Sequence, residues 1–113
     1  MEDKNLGIVT VGYGSEYERQ VKITNMVRCE FSDHRLVTVA KTEEDCYLLS
    51  VENPTNSGRE PQTSMYLTEG SAVALLSTYM LYLEHNGIEP NELFKKYILN
   101  GEEIKYEFFP DDK

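Results

Sequence analysis

"ENPTNSGREPQTSMYLTEG", residues 52–70, separates two parts of the chain that differ in hydrophobic periodicity. Before this stretch, apolar and polar residues alternate, which is typical of β-strands, and after it apolar residues recur at helical spacing. The stretch itself contains the turn-forming residues Pro54, Asn56, Ser57, Gly58 and Pro61. It therefore predicts a loop that carries the chain from a sheet into a helix, and that could also border a binding site.

Residues 1–67 predict an antiparallel meander of four or five short strands. The candidate strands are residues 8–11, 17–31, 35–41, 46–51 and 63–67. The second of these changes its alternation near Asn25, which fits either one long strand or a strand with a β-bulge there. Short turns at 32–34 and 42–45 separate neighbouring strands, and connections of this length favour antiparallel pairing.

Residues 68–113 predict a helical part that ends in a strand and a short acidic tail. Thr68 is a good N-cap for a long apolar helix, and Asn86-Gly87 is a stop signal. Pro90 is tolerated in the first turn of a second, short helix that extends to residue 98. Residues 104–109 alternate as a last strand, before Asp111 and Asp112. The fold class is therefore α+β, in a single domain over residues 1–113.

The first helix is apolar on more sides than one sheet can cover. Ala72, Leu75, Leu76, Tyr79, Met80 and Leu83 form one apolar face, and further apolar residues widen it. Val73, Leu81 and Tyr82 are candidates for an oligomer interface, because an apolar helix surface usually packs against something. We expect a homo-oligomer, either a dimer or a higher assembly.

The composition is that of an acidic globular protein, with a net charge of −9 from 11 basic and 20 acidic residues. Nucleic-acid binders that neutralise phosphates usually carry a basic face, which argues against that class. An acidic N-terminus and the lack of a long apolar run predict neither a secretory signal nor a membrane span. We expect a cytoplasmic protein in which Cys29 and Cys46 are free, buried thiols.

The sequence contains no recognisable catalytic, cofactor or metal motif. His34 and His85 lack a suitably spaced nucleophile or carboxylate, and "GYGS" at 12–15 lacks the rest of a phosphate loop. The "EED" turn at 43–45 is more typical of a solvated acidic turn than of a metal site. We therefore predict no enzyme activity, no cofactor and no metal.

A few basic residues are the candidates for binding an anionic ligand. They are Arg59 in the loop, and Arg28, Lys22 and Lys41 on the strands, with Tyr47 as an aromatic neighbour. Guanidinium groups bind phosphates as a fork, and aromatic rings stack on bases. The alternative is ordinary surface charge beside half-buried tyrosines.

The stretch "YLLSVENPTNSGREPQTSMYLTEGSAVALL" resembles the positive-cofactor-four family of single-stranded-DNA-binding coactivators, which is related to Whirly proteins. The similar part covers about residues 47–83. It consists of an apolar strand, a Pro/Gly loop with Arg59, a strand ending in Leu67-Thr68, and an apolar helix. The resemblance implies a homodimer built through the helix. The chain departs from the family in having few basic residues.

Two functions remain open. The first is a non-enzymatic binding or inhibitor protein, of phage type by its size and composition, that acts in the host cytoplasm. It would occupy a host defence protein through its acidic surface or sequester a small nucleotide ligand. The second is a homodimeric single-stranded nucleic-acid-binding protein, as the resemblance implies.

Overall fold

The structure, a computed structural model, describes residues 6–31, 33–99 and 105–111. Its elements are β1 Ile8–Val11, β2 Arg19–Glu30, β3 Leu36–Thr42, β4 Cys46–Thr55, β5 Gly58–Thr68, α1 Glu69–His85, α2 Pro90–Phe94, a π-helical turn Lys95–Leu99, and β6 Lys105–Phe109. Strands β1 to β5 are neighbours in chain order, with every pairing antiparallel. The predicted antiparallel meander, the two helices and the C-terminal strand are therefore confirmed.

The last strand pairs with β2, on the same side of that strand as β1, and not with β5. Strand β6 pairs with Met26 to Glu30 of β2, while β1 pairs with Arg19 to Lys22 of the same strand. Because β3 occupies the other edge of β2, β1 and β6 follow one another along a single edge. Of the two alternatives for this segment, the structure shows the strand with a bulge, since the register of β2 against β3 shifts between Ile23 and Asn25.

The stretch 52–62, predicted as a loop, is instead a β-hairpin. Strand β4 continues to Thr55 and β5 begins at Gly58, so the turn consists of Asn56 and Ser57. Both prolines are tolerated because this part of the hairpin is at the sheet edge. Strand β3 pairs with β4 only as far as Glu52, so Pro54 lies beyond it.

Alternation along the strands divides the sheet into two faces. The core face carries the buried side chains of Val21, Ile23, Met26 and Ala40, with Leu6, Val9, Leu48 and Phe109 packed against them. The opposite face, here called the helix face, carries Val27, Cys29, Val37, Val39, Tyr47, Leu49, Val51, Met65, Leu67, Tyr106 and Phe108. Helix α1 approaches the helix face over β4 and β5.

The prediction of a long apolar helix is wrong, because the helix is short. Helix α1 has 17 residues, and apolar side chains point to every side of it. Thr68 is the N-cap as predicted, since its hydroxyl accepts a hydrogen bond from the Ser71 amide at 3.2 Å. Gly87 ends the helix with φ +66°, the left-handed conformation expected of a C-terminal glycine.

The second helix is shorter than predicted, because α2 ends at Phe94 and a π-helical turn follows. Cys29 and Cys46 are free as predicted, but both are half-buried rather than buried. Asp111 receives a hydrogen bond from the Asn25 side chain, so the first tail residue is anchored on β2. Two predicted positions lie outside the described residues, namely Ile104 of the last strand and Asp112 of the tail.

Candidate functional site

A cavity of about 360 Å³ lies where the end of β2 meets the starts of β5 and β6. Its lining residues are Arg28, Glu30, Leu36, Arg59, Lys105, Tyr106 and Glu107. The volume falls near the lower end of the range for small-molecule sites, about 300–1,000 Å³. The cavity therefore has room for a small ligand rather than for a folded partner.

Arg28 reaches this cavity because it has the same orientation as Met26 on the core face. Its guanidinium carbon is 5.8 Å from the centre of the Phe109 ring, which holds the side chain in a cation–π contact. Its Nε atom is buried and has no hydrogen-bond partner among the described residues. A buried donor of this kind is normally satisfied, so it indicates an unfilled place for an acceptor.

Arg59 reaches the same cavity from the opposite side, at the start of β5. Its Nη2 atom is 3.1 Å from a carboxylate oxygen of Glu30, and its Nη1 atom donates to the carbonyl of His34. The Arg59 side chain is 28 % exposed, so it is partly shielded from water. These contacts hold the guanidinium at the wall of the cavity.

Three cations and two carboxylates line the cavity. Lys105 is opposite Glu30 across β2 and β6, and Glu107 is opposite Arg28. The lining therefore has a positive balance in a chain whose net charge is −9. An anion would add an acceptor for the arginines but would have to approach Glu30, so the charge favours a small, concentrated anion such as a phosphate.

The other predicted ligand residues are not at this cavity. Lys22 has the opposite orientation to its buried neighbours Val21 and Ile23, and Lys41 is paired with Asp45 at 3.6 Å. Because the bulge in β2 changes the alternation, Arg28 is on the core face while Lys41 is opposite Tyr47 on the helix face. The structure thus brings together Arg28 and Arg59, and separates them from Lys22, Lys41 and Tyr47.

Sequence reasoning did not identify Lys105, Glu30 and Glu107 as neighbours of the arginines. The alternation of residues 104–109 indicated a strand, but no local signal pointed to β2 as its partner. Strand pairing between distant segments depends on the packing of the whole sheet, so this part of the site becomes visible only in the tertiary structure.

A second polar cluster surrounds the turn between β3 and β4. Arg19 contacts both carboxylate oxygens of Glu44, at 2.6 and 2.8 Å, and the Tyr66 hydroxyl donates to Glu44 at 2.8 Å. These hydrogen bonds, from Arg19 first and then Tyr66, lower the pKa of Glu44 from 4.5 to about 2. Burial, reinforced by Glu44, raises the pKa of Tyr66 to about 12. Each carboxylate oxygen is already bonded, so this cluster stabilises the sheet rather than offering a site.

The described residues contain no group of three or more His, Cys, Asp or Glu side chains arranged to hold a metal ion. His34 has a positive φ of 69° in the turn before β3, and its carbonyl oxygen accepts a hydrogen bond from Arg59. None of the helices in the described part of the chain is both long and apolar enough to span a membrane.

Comparison of the chain with models of protein families, with curated proteins and with solved structures found no match. The resemblance to the coactivator family therefore stays a prediction that rests on the residues quoted above. Function has to be inferred from the geometry of the chain itself.

Proposed function

We propose that this protein is a non-enzymatic binding protein that sequesters a small phosphate-bearing anion of the nucleotide type. The observation that carries the proposal is the meeting of Arg28 and Arg59 at one cavity, with a buried arginine donor that has no partner among the described residues. By removing its free ligand, such a protein inhibits any process that uses it, which is one of the two inhibitor roles expected from the sequence.

The distribution of the cations supports a small ligand over a nucleic-acid strand. A single-stranded nucleic acid is usually bound along a continuous positive groove with stacked aromatic rings. Here Lys22 and Lys41 are on the other face of the sheet from Arg28 and Arg59, and Lys41 is paired with Asp45. The net charge of −9 also opposes association with a long polyanion.

Isothermal titration calorimetry with inorganic pyrophosphate and with ADP tests the proposal. We expect binding that Arg59→Glu weakens at least about tenfold, because a charge-assisted hydrogen bond is replaced by repulsion. Lys22→Glu is the matched control, since it makes the same charge change outside the cavity. Absence of binding of both anions, or equal affinity in the Arg59 variant and wild type, would overturn the proposal.

Two further measurements separate the proposal from its alternatives. Mass spectrometry of the supernatant after heat denaturation is expected to show a co-purified phosphate compound. A salt titration with a single-stranded oligonucleotide is expected to show weak binding. Tight binding with a steep salt dependence, weakened by Lys22→Glu, would instead establish the nucleic-acid-binding function.

A further inference from the structure

Helix α1 is apolar but almost entirely uncovered. Within α1, all of which the structure describes, Leu83 is buried, Ala72 is half-buried and every other residue is exposed. A helix that is apolar on all sides normally lies inside a protein, because exposed apolar surface is unfavourable in water. Its own sheet does not provide that cover, so something outside this chain is needed.

The helix face of the sheet is covered only in part. Val73 and Leu76 of α1 form, with Val39 and Leu49, an open apolar groove of about 260 Å³. Beyond this groove, Val27, Tyr106 and Phe108 stay exposed on β2 and β6, and Val39 at the groove itself is also exposed. Helix α1 thus covers the half of the helix face over β4 and β5, and the other half, here called the bare half, is exposed.

The shape of the chain agrees with this incomplete cover. The Cα radius of gyration is 16.0 Å, whereas a compact domain of about 100 residues has about 13 Å. Leu81 and Tyr82 lie on the side of α1 turned away from the sheet, since Ala72 and Leu76 face the groove. The helix therefore has a second apolar side available for a partner.

We infer that two copies of this chain form a homodimer in which α1 and the bare half of the helix face of one copy are covered by those of the other. A two-fold dimer suits this surface, because each copy supplies both the apolar helix and the apolar sheet that it lacks. The hollow of about 830 Å³ that Leu76, Met80 and Leu81 form with the start of α2 continues the same surface.

The exposed area matches what a stable dimer needs. Tyr79, Tyr82, Tyr106 and Phe108 are 49–67 % exposed, so at about 200 Å² for each ring they expose roughly 400–500 Å². With the exposed aliphatic residues of α1, β2 and β3, the total is on the order of 1,000 Å². The largest apolar patch of a typical monomer is about 300–600 Å², and a standard interface buries about 800 Å² per partner.

The charge distribution permits two acidic copies to meet here. Residues 70–83 contain no charged side chain, and the exposed helix-face residues Val27, Val39, Tyr106 and Phe108 are also uncharged. The charged side chains of the two copies therefore lie away from the contact, where solvent and salt screen their repulsion. Apart from Tyr106, which also lines the cavity, the residues proposed for dimerisation and for anion binding are on opposite faces of the sheet, so either function can fail without the other.

Native mass spectrometry and light scattering at micromolar concentration test the dimer. We expect twice the chain mass of 13.0 kDa, and a return to the single-chain mass in Leu81→Glu and Val39→Glu. Tyr13→Glu is the control, because Tyr13 is 86 % exposed but lies outside the surface, in the loop between β1 and β2. A wild-type protein of single-chain mass, or an assembly that both variants leave intact, would overturn the dimer.

A measurement on the wild-type chain covers the case in which these variants do not fold. Cys29 is on the helix face and Cys46 on the core face, and both thiols are free and half-buried. Alkylation of Cys29, followed by peptide mapping, is expected to accelerate when the protein is diluted, while alkylation of Cys46 stays constant. Rates that do not change on dilution, together with the single-chain mass, contradict the dimer.

Discussion

The guanidinium of Arg59, at the start of β5, is 3.1 Å from the carboxylate of Glu30, at the end of β2. Strands β3 and β4 lie between these two strands in the sheet. A flat sheet would keep them about three strand spacings apart, roughly 14 Å. The contact therefore requires the sheet to curl toward its core face, and this curl closes the cavity that Arg28 and Lys105 also line.

Replacing Glu30 with Gln is expected to strengthen anion binding several-fold. The substitution removes the carboxylate that competes with the ligand for Arg59, and keeps a side chain of nearly the same size. The free energy of unfolding should change by less than about 1 kcal/mol, because half-exposed ion pairs contribute little. Calorimetry with pyrophosphate measures the affinity, and Glu16→Gln in the exposed loop before β2 is the control. An unchanged affinity in the Glu30 variant would place the ligand elsewhere.

Replacing Arg28 with Met is expected to abolish anion binding without loss of stability. The buried Nε atom has no partner among the described residues, and a buried unsatisfied donor costs about 1–3 kcal/mol. Its removal offsets the lost cation–π contact with Phe109. Urea denaturation should therefore show an equal or higher free energy of unfolding.

The matched control for Arg28 is Arg35→Met. The Arg35 guanidinium is bonded to Asp33 at 2.7 Å and stacks over Phe31. This variant should unfold more easily, by about 1 kcal/mol, and bind the anion normally. If the Arg28 variant is destabilised more than the Arg35 variant, Arg28 has a structural role instead.

Stability should fall in acid through Glu44. Its pKa is lowered from 4.5 to about 2 in the folded chain. Its hydrogen bonds therefore stabilise the fold fully when the pH is above the pKa of the unfolded chain, about 4.5. That stabilisation is lost as the pH falls from about 4.5 towards 2, where the folded carboxylate takes up a proton. Thermal unfolding followed between these pH values should show a shallower decline in Glu44→Gln than in wild type. Parallel declines would assign the acid sensitivity to other carboxyl groups.

The backbone conformation of the hairpin over residues 52–62 can be tested at Gly58. Gly58 has φ +147°, and a Cβ atom added there meets no atom within 4 Å. Gly58→Ala should therefore destabilise the chain by about 1 kcal/mol through backbone strain alone.

Gly70 is the matched control, since it also has space for a Cβ atom but lies in the first turn of α1. Gly70→Ala should stabilise the chain by about 0.5–1 kcal/mol, because alanine favours the helix. Urea denaturation of both variants measures the difference. Equal effects of the two substitutions would contradict the hairpin geometry.

Much of the fold could be predicted because its signals are local. The alternation of apolar and polar residues predicted the strands, and its change near Asn25 was compatible with the bulge. Thr68 and Gly87 marked the two ends of α1. The hairpin at 52–62 was missed because Pro54 and Pro61 usually interrupt strands. Pro54 fits because the pairing of β3 with β4 stops at Glu52, and Pro61 fits because β5 is an edge strand, and no local pattern reveals either fact.

Local patterns in the amino-acid sequence are sufficient to predict the antiparallel meander, the helix boundaries near Thr68 and Gly87, and Arg28 and Arg59 as candidate ligand residues. That these two arginines share a cavity with Lys105, and that Lys41 is on the other face, becomes visible only in the folded chain. The difference arises because alternation assigns a side chain to one face only within its own strand. Which faces and strands meet depends on the bulge in β2, the curl of the sheet and the return of β6.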